Sequence, residues 1–526
     1  MNGPPATAHA DVAILGAGPV GQLLAVLLGN AGWRVEVLER RPYPFDIPRA
    51  VHLDHEVARI LQAVGLMGEL LPFTEAMDAY EWRNGRGDVL LAVQGGRGWS
   101  GWPESLMFCQ ADLERILARR LGEVPNSNVN WQWDVNGLEE HPEGCEVRGR
   151  RPDGSPVSLV AQWVVACDGA SSTARALLGV PVEDLGYSFE WVVADVIPGS
   201  NRNWRPLNVQ ICDPARPTTT VSGGPGRRRF EFLCLPGERL EDMSRPEAIW
   251  QLLRRWDLSP SNATLERHAG YRFRSQIASR WQAGPAGRVL LAGDAAHQMP
   301  PFAGQGLCAG LRDAANLAWK LDLVLSGAAP PDLMTTYGSE RSPVARSEIE
   351  LSVALGRIAC VLDAAEAAER DAAMVPTAKA TGPMSVPPPP ALGPGVTNPG
   401  DGHAGELGLQ AAVIAQGGRS GLFDDVVGSR GWMLLGALGD PAAALPPALA
   451  EWYREIGGSG LHVAPGAPLD DTEGSYLRWF TDLGASVVLQ RPDFRLFGTA
   501  SDIAGTTELV RAARQAVLAR RTPAQD

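Results

Sequence analysis

The chain has 526 residues, 45% hydrophobic and 20% charged, with 60 acidic against 47 basic side chains and a formal net charge of −13. That length suits two or three folded domains rather than one, and the acidic balance argues against a nucleic-acid partner. No apolar run reaches the roughly 18 residues that a membrane span needs, and the first ten residues lack the basic flank and apolar stretch of a secretion signal. The expected location is therefore cytoplasmic, with no membrane partner.

In chain order, residues 12–15 form a short apolar strand, "GAGPVG" makes a glycine turn, and an apolar helix leads to a second strand over 34–38 that ends at Glu39. The change from a continuous apolar run to helical spacing at the turn predicts a β-turn-α-β unit. A loop punctuated by proline (41–48), a helix (55–65) and a Trp- and Gly-rich stretch to residue 103 come next. A helix from about residue 111 precedes strands that run into "WVVACDG". Segments 190–196, 207–212 and 228–235 alternate in strand fashion and predict a separate antiparallel sheet. Long helices are expected over 306–326 and 331–368. Residues 381–402, "TGPMSVPPPPALGPGVTNPGDG", are too rich in Pro and Gly for either element and read as a linker or strap. Beyond them, strands over 432–438, 461–464 and 485–497 separated by helices predict a small α/β domain.

The glycine turn carries chemistry. Gly16 permits the tight turn, Gly18 lets a pyrophosphate approach the backbone, and Gly21 lets helix and strand pack closely. The helix N-terminus adds roughly half a positive charge. Glu39 stands where a carboxylate accepts hydrogen bonds from an adenosine ribose. This module by itself does not choose FAD over NAD(P). Two later segments do more: "WVVACDGASSTAR" supplies Asp168, Gly169 and Arg175, and "RVLLAGDAAH" supplies Gly293 and Asp294, each after a strand.

These three motifs, in this order, make the sequence resemble the class A flavoprotein aromatic hydroxylases, the family of p-hydroxybenzoate and phenol hydroxylases, over residues 10–343. The resemblance implies an α/β architecture with a discontinuous Rossmann-like FAD-binding domain (1–75, 104–183 and 276–370) and an inserted antiparallel-sheet substrate domain (76–103 and 184–275). A Pro/Gly-rich linker (371–404) and a thioredoxin-like C-terminal domain (405–526) complete it. FAD would be held by Gly16, Gly18, Gly21, Glu39, Arg40, Arg49, Gln110, Asp168, Asp294, Pro301, Gly304, Gly306 and Leu307. Asp294 would meet the ribityl chain, and the amides after Pro300 and Pro301 would stabilise negative charge on the reduced flavin. Arg49 and Gln110 have surface or helix-capping roles as alternatives, and Asp168 and Arg175 a structural salt bridge. NAD(P)H is expected as a transient co-substrate, since the family has no separate nicotinamide domain.

The implied cycle reduces FAD with NAD(P)H, adds O2 to give a C4a-hydroperoxyflavin and transfers one oxygen to a phenolic ring. A phenolate reacts faster, so a base or hydrogen-bond acceptor is wanted. Asp54 matches a catalytic aspartate of phenol hydroxylase, with a helix N-cap as its alternative. His52 is a second candidate or a packed loop residue, and Tyr271 faces the substrate or the core. "PRAVHLDHE", "MPPFAGQGLCAGLRDAANLAWKL" and "PPPALGPG" look most like the 3-(3-hydroxyphenyl)propionate hydroxylase branch, which implies a catechol product and Arg272 or Arg274 on a carboxylate. The alternatives are a hydroxylase of larger polyketide or antibiotic rings, served by Trp82, Trp99 and Trp102, a flavin oxidoreductase without oxygen insertion, and a non-catalytic ligand-binding flavoprotein. The C-terminal domain has no C-x-x-C, which leaves packing or homodimer contact as its work. Seven widely spaced cysteines and eight histidines without ligand spacing give no disulfide framework and no metal site.

Overall fold

A computed structural model describes residues 8–43, 49–428 and 431–520. Most of the expected proline loop, 44–48, lies outside the described residues.

Four strands build the first sheet in parallel: Pro156–Ala166, Ala8–Leu15, Val35–Glu39 and Ser127–Trp131, with Val289–Leu291 added beside Pro156–Ala166. The central stretches 10–15, 163–166 and 289–291 are buried on both faces, which is why they read as near-continuous apolar runs, whereas the edge strand Ser127–Trp131 is only partly buried. Helices Pro19–Asn30, Gln110–Gly122 and Gly306–Leu325 cover them. Ala8–Leu15, Pro156–Ala166 and Val289–Leu291 end side by side, so Gly16, Asp168 and Asp294 emerge at one edge, the ligand side of an open α/β sheet.

The second sheet has eight strands in the order Ala263–Phe273, Phe189–Pro198, Arg228–Leu233, Thr218–Ser222, Asn208–Cys212, Ala79–Asn84, Val89–Gln94 and Met384–Ser385. The expected antiparallel sheet is antiparallel across its first five strands, but Asn208–Cys212 pairs in parallel with Ala79–Asn84. Antiparallel pairing follows from short hairpin connections; these two strands come from distant parts of the chain. One face of the sheet packs Val192, Ala194, Phe230 and Phe232 against Ile249, Leu253 and Leu258. Its other face looks at the first domain.

The helix expected over 331–368 is divided. A 3-10 turn, Pro331–Met334, precedes helix Thr335–Ala359, and a new helix, Ala364–Thr381, starts where the Asp363 side chain accepts from the amides of Ala365 and Glu366. An N-cap aspartate is a strong start signal, and the second helix takes in the first residues of the expected linker. The C-terminal unit is a seven-stranded mixed sheet flanked by helices Pro447–Glu455, Ser475–Asp482 and Thr506–Leu518. It docks through buried charge rather than through a purely apolar seam. Glu340, fully buried, meets Lys320 and Arg491 at 2.8 Å each, and Arg59 meets Asp424 at 2.6 Å.

Candidate active site

The glycine turn divides its labour. A Cβ on Gly16, whose φ is +102°, would meet the Cys167 carbonyl oxygen at 2.5 Å, and one on Gly21 would meet the Gly16 oxygen at 2.1 Å. Both are packing requirements. A Cβ on Gly18 would meet nothing within 4 Å, so this glycine faces open space at the N-terminus of helix Pro19–Asn30, where unpaired amides and the helix dipole favour an anion. Beside it a cavity of about 340 Å3 is lined by Ala17, Gln22, Val129 and Trp131. Glu39 accepts from the amides of Ala17 at 2.8 Å and Arg41 at 3.0 Å, which fixes its carboxylate at the mouth of the turn. Arg40 is exposed.

Gln110 is buried and works as a clamp. Its Oε1 accepts from the Ala50 amide at 2.7 Å and its Nε2 donates to Glu114 at 2.6 Å. The Arg49 guanidinium lies within Coulombic reach of Asp294, Glu114 and Glu39. Glu114 is buried with one oxygen lacking a partner; burial pushes its carboxyl up to about 7, opposed by Gln110, Arg49 and Arg41. Asp168 accepts from the Ala174 amide at 3.0 Å while its other oxygen is buried without a partner. Arg175 is structural, donating to the carbonyls of Ala295 and Ala170 at 2.8 Å and so tying the Asp-Gly segment to the Gly-Asp segment.

Asp294 opens onto the crevice yet is ringed by protein, and desolvation raises its carboxyl against the pull of His297 and Arg49. The turn that presents it is held from below by Asp313, which accepts from the Gly293 amide at 3.0 Å and contacts His297 and Arg341 at 2.9 Å. Pro301–Ala303 forms a 3-10 turn, Gly304 takes φ +66°, and Gly306 and Leu307 begin helix Gly306–Leu325. Phe302 from this turn plugs into the second sheet, 5.7 Å from Trp191 and 5.6 Å from Phe273 between ring centroids. His52 contacts the Gly304 carbonyl through Nδ1 at 3.1 Å, and burial lowers its imidazole.

The three candidate catalytic side chains part company. Asp54 is buried, caps helix His55–Ala63 by accepting from the Val57 amide at 3.0 Å, and is ion-paired with Arg312. Burial opposes its ionisation, but Arg312 wins and holds the carboxyl below its usual range. His52, on strand His52–Asp54, and Tyr271, on strand Ala263–Phe273, are both partly buried. The Tyr271 hydroxyl donates to Glu231 Oε2 at 3.1 Å, and Glu231 lies 3.8 Å from Arg229, which is itself locked on Asp195 at 2.6 and 2.9 Å. Arg229 also donates to the Arg49 carbonyl. Asp195, Arg229, Glu231 and Asp313 were missed from sequence. The signal for two of them was present: in "RRFEFLCL" Arg229 and Glu231 alternate with Phe230 and Phe232 at the strand period, which puts both on one face, whereas Asp195 joins them only through strand pairing.

Arg272 and Arg274 do not join this face. Both are exposed, and Arg272 pairs with Glu190, because residues next to Tyr271 on a strand point the other way. Nor do the tryptophans make one surface: Trp82 is buried beside Tyr80, Trp99 is exposed, and Trp102 donates to Gln62 at 2.7 Å.

Residues 9–352 match the model of the FAD binding domain family, and residues 405–516 match the HcaD C-terminal domain. A probable NADH-specific resorcinol 4-hydroxylase of Rhodococcus jostii (strain RHA1) is 36% identical over 97% of this chain and 95% of its own length. The chain belongs to the FAD-dependent aromatic hydroxylases. A 3-(3-hydroxy-phenyl)propionate/3-hydroxycinnamic acid hydroxylase of Escherichia coli (strain SMS-3-5 / SECEC) is 31% identical over 94% of this chain and 93% of its own. Aklavinone-11 hydroxylase, solved with FAD and aklavinone, shares 25% identity with a TM-score of 0.75 over 99% of this chain and 100% of that one. The flavin-dependent monooxygenase PieE has the same fold, with a TM-score of 0.78 at 20% identity over 97% and 99%. The residues fit such a cofactor: open space at Gly18 faces an unpaired helix N-terminus, and buried oxygens of Asp168, Glu114 and Gln22 lack partners around the crevice.

Proposed function

We propose that this FAD-dependent hydroxylase acts on a small uncharged phenol, with resorcinol as the first candidate and NADH as reductant. The observation that carries the reading is the charge balance of the inward face. Two cations, Arg229 and Arg267, face two carboxylates, Asp195 and Glu231, and the arginines expected to meet a substrate carboxylate point outward. A carboxylated substrate would bring a net negative charge into a buried site with no uncommitted counter-ion in that group, which is costly. The resorcinol hydroxylase relative points to the same substrate class.

In this reading the pyrophosphate of FAD lies at Gly18, Glu39 takes the adenosine ribose, and Arg49, Gln110, Asp168 and Asp294 hold the remainder. Pro301, Gly304, Gly306 and Leu307 lie at the flavin ring. Bound FAD would pass electrons from NADH to O2, one atom of which would enter the ring. The protein's own contribution is to fix the phenol between His52, Tyr271 and the turn around Phe302, to exclude water with the packed rings of Trp191, Phe273 and Phe302, and to hold the phenolic proton. The C-terminal unit is assigned a thioredoxin-like topology and a docking role; the docking is supported by its buried ion pairs and by Trp319, Leu323 and Leu333 packing in one cluster with Trp432 and Phe497.

Substrate-stimulated NADH oxidation separates the candidates. Resorcinol should stimulate more than 3-(3-hydroxyphenyl)propionate; the reverse order would return the assignment to a carboxylated substrate. Stimulation by polycyclic phenols alone would move it to the class that includes aklavinone.

A further inference from the structure

We propose that Glu231 is the acceptor of the substrate's phenolic proton, reached through the hydroxyl of Tyr271. The proposal rests on the phenol reading above and names the base that Asp54, bound to Arg312 and capping a helix, is badly placed to be.

The geometry comes from three strands of the second sheet. Tyr271 on Ala263–Phe273 stands across from Trp191 on Phe189–Pro198, whose other neighbour is the strand that carries Glu231. Both side chains lie on the inward face, and the Tyr271 hydroxyl already donates to Glu231 Oε2 at 3.1 Å. The same face meets the Phe302 turn that leads into Gly304 and Gly306, so the tyrosine is presented toward the flavin side of the crevice. Glu231 is 7% exposed and its charged and titratable surroundings are Arg229 on its own strand, Asp195 beside its partner Val193 on the neighbouring strand, Arg267 and Tyr271 from the edge strand, and Tyr80 from Ala79–Asn84.

The proton transfer balances without a further reactant. The phenol O–H donates to the Tyr271 oxygen while the Tyr271 proton passes to Glu231, which gives a phenolate, an unchanged tyrosine and a neutral carboxylic acid. The proton returns by the same route to the product oxygen. Burial raises the Glu231 carboxyl, opposed by Arg229, toward the range where an acceptor of a phenolic proton is useful. Burial and Glu231 keep Tyr271 protonated well above its ordinary range, so the tyrosine serves as a relay and not as the base. Arg229 bridges this pair to Asp195 and to the Arg49 carbonyl, which steadies the acceptor as its charge changes.

The test uses the FAD-loaded full-length protein and the variants Glu231→Gln, Glu231→Asp and Tyr271→Phe. Product formation is followed against pH with resorcinol, and at an alkaline pH of about 8.5 also with 4-nitrophenol, a phenol largely ionised there. The expected result is a fall in kcat of about 100-fold for Glu231→Gln with resorcinol, little change in KM, loss of the acid limb of the pH profile, and partial rescue by Glu231→Asp. The deficit should shrink to a few-fold with 4-nitrophenol, and Tyr271→Phe should behave alike. Equal kcat and pH profile for wild type and Glu231→Gln overturns the proposal alone, as does an equal deficit with both phenols, which marks a structural role. Wild type that forms no hydroxylated product from either phenol overturns the phenol reading and this proposal with it.

Discussion

Arg495 of the C-terminal unit and Glu56 of helix His55–Ala63 form a buried ion pair at 2.6 Å, although 439 residues separate them. Glu56 also meets Arg312 at 2.6 Å, and Arg312 meets Asp54. The C-terminal unit thus fastens the helix that directly follows His52. Removing one partner of a buried pair leaves an uncompensated charge, so Arg495→Met should cost about 3 kcal/mol of unfolding free energy. The double variant Arg495→Met with Glu56→Gln should recover part of that loss. Denaturant unfolding of the three variants checks it; additive losses would mean that the pair is not coupled.

Asp54 belongs to the same network, and two roles predict different data. As a cap and ion-pair partner, Asp54→Asn should lower stability by about 3 kcal/mol and leave the shape of the pH–rate profile unchanged. As a catalytic base, it should abolish the acid limb while leaving the thermal midpoint close to wild type. Its ionised form is the stabilised one: burial is outweighed by Arg312, so its contribution is present above the ordinary carboxylate value and lost as pH falls below it.

Much of this was legible in sequence, and the limit follows from distance along the chain. The glycine module could be read because Gly16, Gly18, Gly21 and Glu39 are placed by one contiguous β-turn-α-β unit. Asp54 stayed ambiguous because an N-cap and a general base call for the same residue type at the same place. Glu231 and Tyr271 meet only when two strands pair across a third, and Arg495 meets Glu56 only when domains dock; neither relation leaves a local pattern. Asp313 sits inside a helix like any polar residue, and its task, holding the Gly293 amide, is set by tertiary packing.

The two kinds of glycine in the phosphate turn should separate under mutation. Gly21→Ala puts a Cβ 2.1 Å from the Gly16 oxygen and should destabilise the FAD-free protein by roughly 1–3 kcal/mol or more. Gly18→Ala has room and an ordinary φ of −74°, so stability should hold while FAD affinity falls about tenfold or more, through lost backbone approach. Thermal melts and FAD titration of the apoprotein report each effect; a Gly18→Ala protein with unchanged affinity would remove that glycine from the binding site.

Glu114 makes the apoprotein's stability depend on pH. Its carboxyl is raised from 4.5 to about 7 by burial, so the native state binds more protons than the unfolded chain between these values. Its contribution is intact below pH 4.5 and is lost as pH rises through about 7, by about 3 kcal/mol at most. Unfolding of the FAD-free protein at pH 5 and pH 8, against Glu114→Gln, measures it. The variant should lose less stability over that interval than wild type, and parallel losses would contradict the assignment.

Oxygen insertion into a phenol is tested most directly by supplying the FAD-loaded protein with NADH, resorcinol and 18O2 and weighing the product. The account predicts a trihydroxybenzene carrying one 18O atom, formed in step with substrate-stimulated NADH consumption. NADH consumed with only hydrogen peroxide formed, across resorcinol, 3-(3-hydroxyphenyl)propionate and larger phenols, would contradict it.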